Sequence, residues 1–264
     1  METRFLTLAD GRRLAYLDQG GPGRPLLALH GMCGRGRMFA GLARRLGPRW
    51  RVVAPDQRGH GWSDAASCYS REGFVSDAAE MIERLGMGPC PVLGHSLGGV
   101  NAFQLACWRP ELVTAIVVED IGARPEPGPA GWMYELPVRF DAFRDLRRAL
   151  GEAMAGQEDY FLENAAEFED GWGFRWRAAE IESAGRSLGG DWWPDWLGSG
   201  CPALLIHGGR SEVLSAAEAR EMVQSRPGTR LATFPEAGHT PHRVEPERYA
   251  KEVGAWLDTL TTSQ

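Results

Sequence analysis

The chain has 264 residues, 43% of them hydrophobic, enough to bury one sizeable core with a small insertion. A formal net charge of −6 and a pI near 5.6, with no long basic run, argue against nucleic acid or an acidic membrane surface as partner. No apolar stretch reaches the roughly 18 residues that a membrane helix needs, and the opening METRFLTLADGRR lacks the apolar core of an export signal.

In chain order, RFLTLAD and RRLAYLDQG read as an antiparallel pair joined by a turn at Asp10-Gly11. Apolar runs follow at PLLALHG (25–31), RVVAPD (51–56), CPVLGHS (90–96) and VTAIVVED (113–120), and again at CPALLIHGG (201–209) and TRLATFPEAGH (229–239). Amphipathic stretches such as Phe74–Leu85 and Leu97–Trp108 lie between them. Short apolar strands separated by helices imply an α/β fold, a mostly parallel sheet with helices on both faces.

One interval breaks the alternation. From Ile121 to Gly200 there is no convincing buried strand, and six of the ten tryptophans fall there: Trp132, Trp172, Trp176, Trp192, Trp193 and Trp196. The interval is too long for a plain crossover loop. It predicts a helical cap over 122–197, inserted after the strand ending at Asp120, on a core formed by 1–121 and 198–264. The tryptophans read mostly as the cap's own core, with one or two facing a substrate. The acidic run EDYFLENAAEFEDGW reads as a solvated helix face.

Within VLGHSLGGV (92–100), residues Gly94 to Gly98 satisfy G-x-S-x-G with a strand before and a helix after, the context this motif requires. Glycines two positions either side of Ser96 allow a sharp turn that projects its hydroxyl. The first amides of the following helix favour a developing anion nearby. Ser96 is therefore the candidate nucleophile; a glycine-rich helix start with an incidental serine is the plain alternative.

Four motifs, LHGMCG (29–34), DQRGHGWSD (56–64), GHSLGG (94–99) and AGHTPH (237–242), stand in an order that resembles the α/β-hydrolase fold family. The resemblance covers nearly the whole chain outside 121–200. It implies a serine hydrolase whose oxyanion hole is formed by the backbone amides of Met32 and Leu97. The family order of serine, acid, then histidine implies His239 as base, with His242 as runner-up. The acid has two candidates. Relatives usually carry an aspartate where this chain has Ser211, with Glu212 one residue later. In some subfamilies the acid ends the preceding strand, here at Asp120, which needs no shift in register; Glu119 beside it points to the opposite face. DQRGHGWSD reads as architectural.

These readings imply a hydrolase for a small to medium, partly apolar carboxylic ester, thioester or lactone. A carbon–carbon bond hydrolase of ring-cleavage products and a cofactor-free haloperoxidase or perhydrolase use the same residues, and some ligand receptors share the fold without catalysis. No cofactor or metal is implied: no G-x-G-x-x-G or Walker pattern occurs, and His, Asp and Glu show no metal-ligand spacing. Five scattered cysteines, an odd number without a C-x-x-C pair, fit reduced thiols in a cytoplasmic protein.

Overall fold

Strands β1 (Glu2–Thr7) and β2 (Arg13–Asp18) form the expected antiparallel hairpin, turned at Gly11, whose φ of +86° suits glycine. The computed structural model describes residues 2–126 and 131–260. Residues 127–130 of the predicted cap, and Met1 and 261–264 of the predicted core, lie outside the described residues.

Strands β3 (Arg24–Leu29), β4 (Trp50–Pro55), β5 (Cys90–His95) and β6 (Val113–Glu119) follow the apolar runs read from the sequence. Helices α1 (Ala40–Leu46), α2 (Arg71–Arg84) and α3 (Leu97–Trp108) alternate with them. The Ser70 side chain caps α2 by accepting from the Gly73 N–H.

Between β6 and the next strand of the main sheet lie α4 (Trp132–Glu135), α5 (Phe143–Ala153) and α6 (Glu158–Leu162). Then come β7 (Ala165–Phe168), β8 (Gly171–Phe174), α7 (Ala178–Leu188) and α8 (Trp193–Gly198). The chain ends with β9 (Ala203–Gly208), α9 (Ala216–Ser225), β10 (Thr229–Phe234), α10 (Pro241–Val244) and α11 (Pro246–Thr259).

The main sheet has the order β1-β2-β4-β3-β5-β6-β9-β10 and is parallel from β4 to β10. Side chains alternate along each strand and build two cores. Leu27, Leu29 and Val92 pack with α2 and α3, whereas Leu26, Ala28 and Leu93 pack with α1 and α11. Central β5 and β9 are buried along their whole length, and α3 from Leu97 to Ala106 is buried all round.

Two expectations for 121–200 are corrected. The interval is not purely helical: β7 and β8 form an antiparallel hairpin, missed because each strand is four residues long and only half-buried. The acidic run at 158–172 is not one helix face, since α6 ends at Leu162 and Asn164 is fully buried. The tryptophans also divide. Trp193 and Trp196 join the main core, with Trp196 edge-on to Phe103 of α3 at 5.9 Å, while Trp176 packs with Met133, Phe161 and Cys33 in a separate cluster.

Candidate active site

β5 delivers Ser96 to the sheet's carboxyl edge, and the turn into α3 is tight enough to force glycines around it. A Cβ on Gly94 would meet the Gly98 carbonyl oxygen at 1.9 Å, and one on Gly98 would meet the Leu29 carbonyl oxygen at 2.1 Å. Ser96 itself has φ +51° and ψ −118°, held by its N–H donating to the Glu119 carbonyl at 2.9 Å and its carbonyl accepting from Gly99 at 2.7 Å. Among the described residues only Cys33, Ser96 and Asp120 combine a side chain with positive φ, at +57°, +51° and +53°. They sit just beyond the ends of β3, β5 and β6, which are neighbours in the sheet. Each such conformation costs of order 1–3 kcal/mol and persists where the surroundings impose it.

His239, on the loop after β10, bonds through Nδ1 to Asp120 Oδ2 at 2.8 Å. Asp120 is fully buried and also accepts from the Gly208 N–H at 2.8 Å on Oδ1 and from the Ser211 hydroxyl on Oδ2. A carboxylate can only accept, so Nδ1 carries a proton, and in the neutral imidazole Nε2 is the nitrogen with the lone pair. Glu212 is exposed and makes no hydrogen bond to His239. Ser211, at the position where relatives usually carry an aspartate, donates its hydroxyl to the Asp120 carboxylate.

His242 lies elsewhere. Its Nδ1 bonds Glu119 Oε1 at 2.7 Å and its N–H the same oxygen at 3.0 Å, while the Tyr249 hydroxyl donates to Oε2 at 2.8 Å. Burial alone would raise the Glu119 carboxyl, but the charge and hydrogen bonds of His242 outweigh it and hold the group below its ordinary range. His95 joins this cluster to His239: its Nε2 donates to the His239 carbonyl at 2.8 Å, and the rings lie 4.7 Å apart. Burial keeps His95 neutral by pushing its pKa well down. Ligand atoms of His95, Glu119 and His242 come within 4.8 Å of one another, the spacing of a metal cluster. With both Glu119 oxygens committed to donors, however, the three read as a support for the His239 loop.

Met32 follows β3 and Leu97 opens α3, and neither backbone N–H donates to a protein acceptor among the described residues. The carbonyl of the Gly31–Met32 peptide accepts from His30 Nδ1 at 2.7 Å and from the Gly34 N–H at 3.0 Å. His30 is held in that tautomer because its Nε2 accepts from the Gln57 N–H at 2.8 Å. Cys33, beside this loop, is buried, and burial pushes its thiol well above the ordinary range, which disfavours a reactive thiolate.

The DQRGHGWSD loop is architectural, as its composition suggested. Asp56 accepts from the N–H groups of Gly36 and Trp62 at 2.8 and 2.9 Å, and Arg58 grips Asp77 in a two-pronged pair at 2.9 and 2.8 Å. Two residues within reach of the site carried no sequence signal, Tyr160 and Asn164, both in the acidic run.

Comparison with known proteins adds to this geometry. A model of the alpha/beta hydrolase family matches residues 26–252. The 2-(acetamidomethylene)succinate hydrolase of Mesorhizobium japonicum is 29% identical over 262 residues, covering 94% of this chain and 93% of that one. The 3-hydroxybutyrate-oligomer hydrolase of Cupriavidus necator is 29% identical over 268 residues, covering 90% of each. A crystal structure of E-2-(acetamidomethylene)succinate hydrolase superposes with a TM-score of 0.84 at 25% identity, covering 97% of this chain and 99% of the other. No helix among the described residues is long and apolar enough to cross a membrane.

Proposed function

The chain belongs to the alpha/beta hydrolase family, and we propose that it is a serine hydrolase in which Ser96 is the nucleophile, His239 the base and Asp120 the acid. The observation that carries this reading is the 2.8 Å bond from His239 Nδ1 to the buried Asp120 carboxylate, on a loop whose His239 carbonyl is held by His95, the residue before Ser96. Asp120 holds the imidazole with Nε2 free, the form a general base requires, and stabilises the imidazolium once it forms. The Ser96 oxygen attacks the substrate carbonyl carbon as His239 takes its proton. The N–H groups of Met32 and Leu97 stabilise the oxyanion. His239 then returns the proton to the departing alcohol or thiol, leaving an acyl-enzyme. Water attacks the acyl carbon, gives its proton to His239, and Ser96 leaves with that proton as the acid product is released.

The segment at 122–197 serves in this reading as a cap over the site. The cluster of Cys33, Met133, Leu150, Phe161, Trp176 and Ile181 joins it to the loop after β3 by apolar contact. The substrate in this reading is a partly apolar ester, thioester or lactone of small to medium size. The named relatives, which hydrolyse different substrates, accord with hydrolysis. A fluorophosphonate probe tests the mechanism. One equivalent should attach to Ser96, located by mass spectrometry, and Ser96→Ala should lose both labelling and p-nitrophenyl ester turnover. Turnover retained by Ser96→Ala refutes the mechanism.

A further inference from the structure

We propose that Tyr160 and Asn164, both contributed by the segment between β6 and β9, are positioning residues that aim the oxyanion-binding N–H of Met32 by holding the peptides that follow it in the loop after β3. The inference rests on the serine-hydrolase reading above. Three successive carbonyls of this loop are held by donors from outside it or by its own turn. Gly31 O takes His30 Nδ1 and the Gly34 N–H at 2.7 and 3.0 Å. Met32 O takes the Tyr160 hydroxyl at 2.8 Å. Cys33 O takes Asn164 Nδ2 at 2.6 Å. Across a planar trans peptide the N–H and C=O point in opposite directions. Holding the Gly31 carbonyl therefore fixes the direction of the Met32 N–H, which donates to no protein acceptor among the described residues. Asn164, on Cys33 O, orients the Cys33–Gly34 peptide whose N–H donates to Gly31 O at 3.0 Å, and Tyr160, on Met32 O, holds the peptide between the two.

Local sequence does not explain this geometry. Cys33 at φ +57° is a side-chain-bearing residue in a left-handed conformation, which a free loop relaxes out of. The Tyr160 oxygen sits inside the loop's curve: a Cβ on Gly31 would lie 2.8 Å from it, and one on Gly34 would lie 2.9 Å from it. Burial holds the phenol pKa well above its usual range, so the O–H stays a donor. Asn164 is fully buried, and its own backbone is pinned at both ends: its N–H donates to Phe161 O and its carbonyl accepts from the Arg175 N–H, each at 3.0 Å. The two donors thus come from a rigid junction between α6 and the β7–β8 hairpin. The segment covering the site also completes it.

An interaction that acts only on a developing oxyanion changes kcat and leaves KM alone. Tyr160→Phe removes one oxygen, and Asn164→Leu removes the amide donor at similar volume. Each should lower kcat for a p-nitrophenyl ester about tenfold, part of the roughly 10²–10³-fold cost of losing a whole oxyanion donor. KM should stay within about twofold, Ser96 phosphonylation should slow in parallel, and the double variant should lose more than either single one. Melting curves identify any variant that is unfolded at the assay temperature, and the other single variant then decides. Folded variants with wild-type kcat and phosphonylation rates overturn the inference, as does a rise in KM at unchanged kcat. If the wild-type protein takes no label at Ser96, it is the serine reading that fails, which keeps the two failures apart.

Discussion

Replacing Asp120 by asparagine changes one atom and tests how the site is wired. The carboxylate serves three donors with two oxygens: Gly208 N–H on Oδ1, and Ser211 Oγ and His239 Nδ1 on Oδ2. An amide has a single oxygen. If that oxygen stays with the buried Gly208 N–H, the amide NH₂ faces His239. Nδ1 must then accept, which moves the imidazole proton to Nε2, where the lone pair is needed. If the amide turns the other way, the buried Gly208 N–H is left without an acceptor, at about 1–3 kcal/mol. Loss of the correct tautomer in a serine triad costs about 10⁴-fold in kcat, or about 5 kcal/mol in barrier height. The assay is steady-state hydrolysis of a p-nitrophenyl ester, with melting curves to confirm folding. Glu212→Gln alters only an exposed side chain and should leave kcat within about twofold. If Asp120→Asn keeps more than a tenth of wild-type kcat, or Glu212→Gln is the more damaging change, the assignment of the acid is wrong.

Two further outcomes follow from strain and burial. Ser96 at φ +51° is relieved by glycine and not by alanine, so Ser96→Gly should be more stable than Ser96→Ala by about 1 kcal/mol in chemical denaturation, both being inactive; equal stability would mean that the elbow is not strained. His60 is fully buried, and burial holds its imidazole at about 4 against 6.5 in the unfolded chain. Between those pH values the unfolded chain binds a proton that the folded protein does not. Stability is therefore complete above pH 6.5 and falls as pH drops towards 4, by up to about 3 kcal/mol from this residue. His60→Asn, whose amide can keep the 2.9 Å donation to Arg58 O, should flatten the Tm–pH slope by one proton; an unchanged slope would show that His60 is not the group responsible.

Linear pattern determined the strands of the main sheet, α3 from Leu97 to Trp108, and the expectation that Ser96 stands on a turn between a strand and a helix. Those features depend on neighbours in the chain: buried parallel strands read as unbroken apolar runs, and the glycines at 94 and 98 mark where backbone approaches backbone. The choice between Asp120 and Glu212 depended on which strand end lies beside the loop after β10. Both candidates follow a strand, at β6 and at β9, and those strands are neighbours in the sheet. Only the fold puts Asp120 Oδ2 at 2.8 Å from His239 and leaves Glu212 exposed. Tyr160 and Asn164 were less legible still. Among glutamates and aspartates they looked like part of a solvated face, because the run contains no marker of the break between α6 and β7. Tertiary structure alone decided that this segment turns inward and donates to Met32 and Cys33, more than a hundred residues earlier, since a hydrogen bond across such a separation leaves no periodicity in the sequence between its partners.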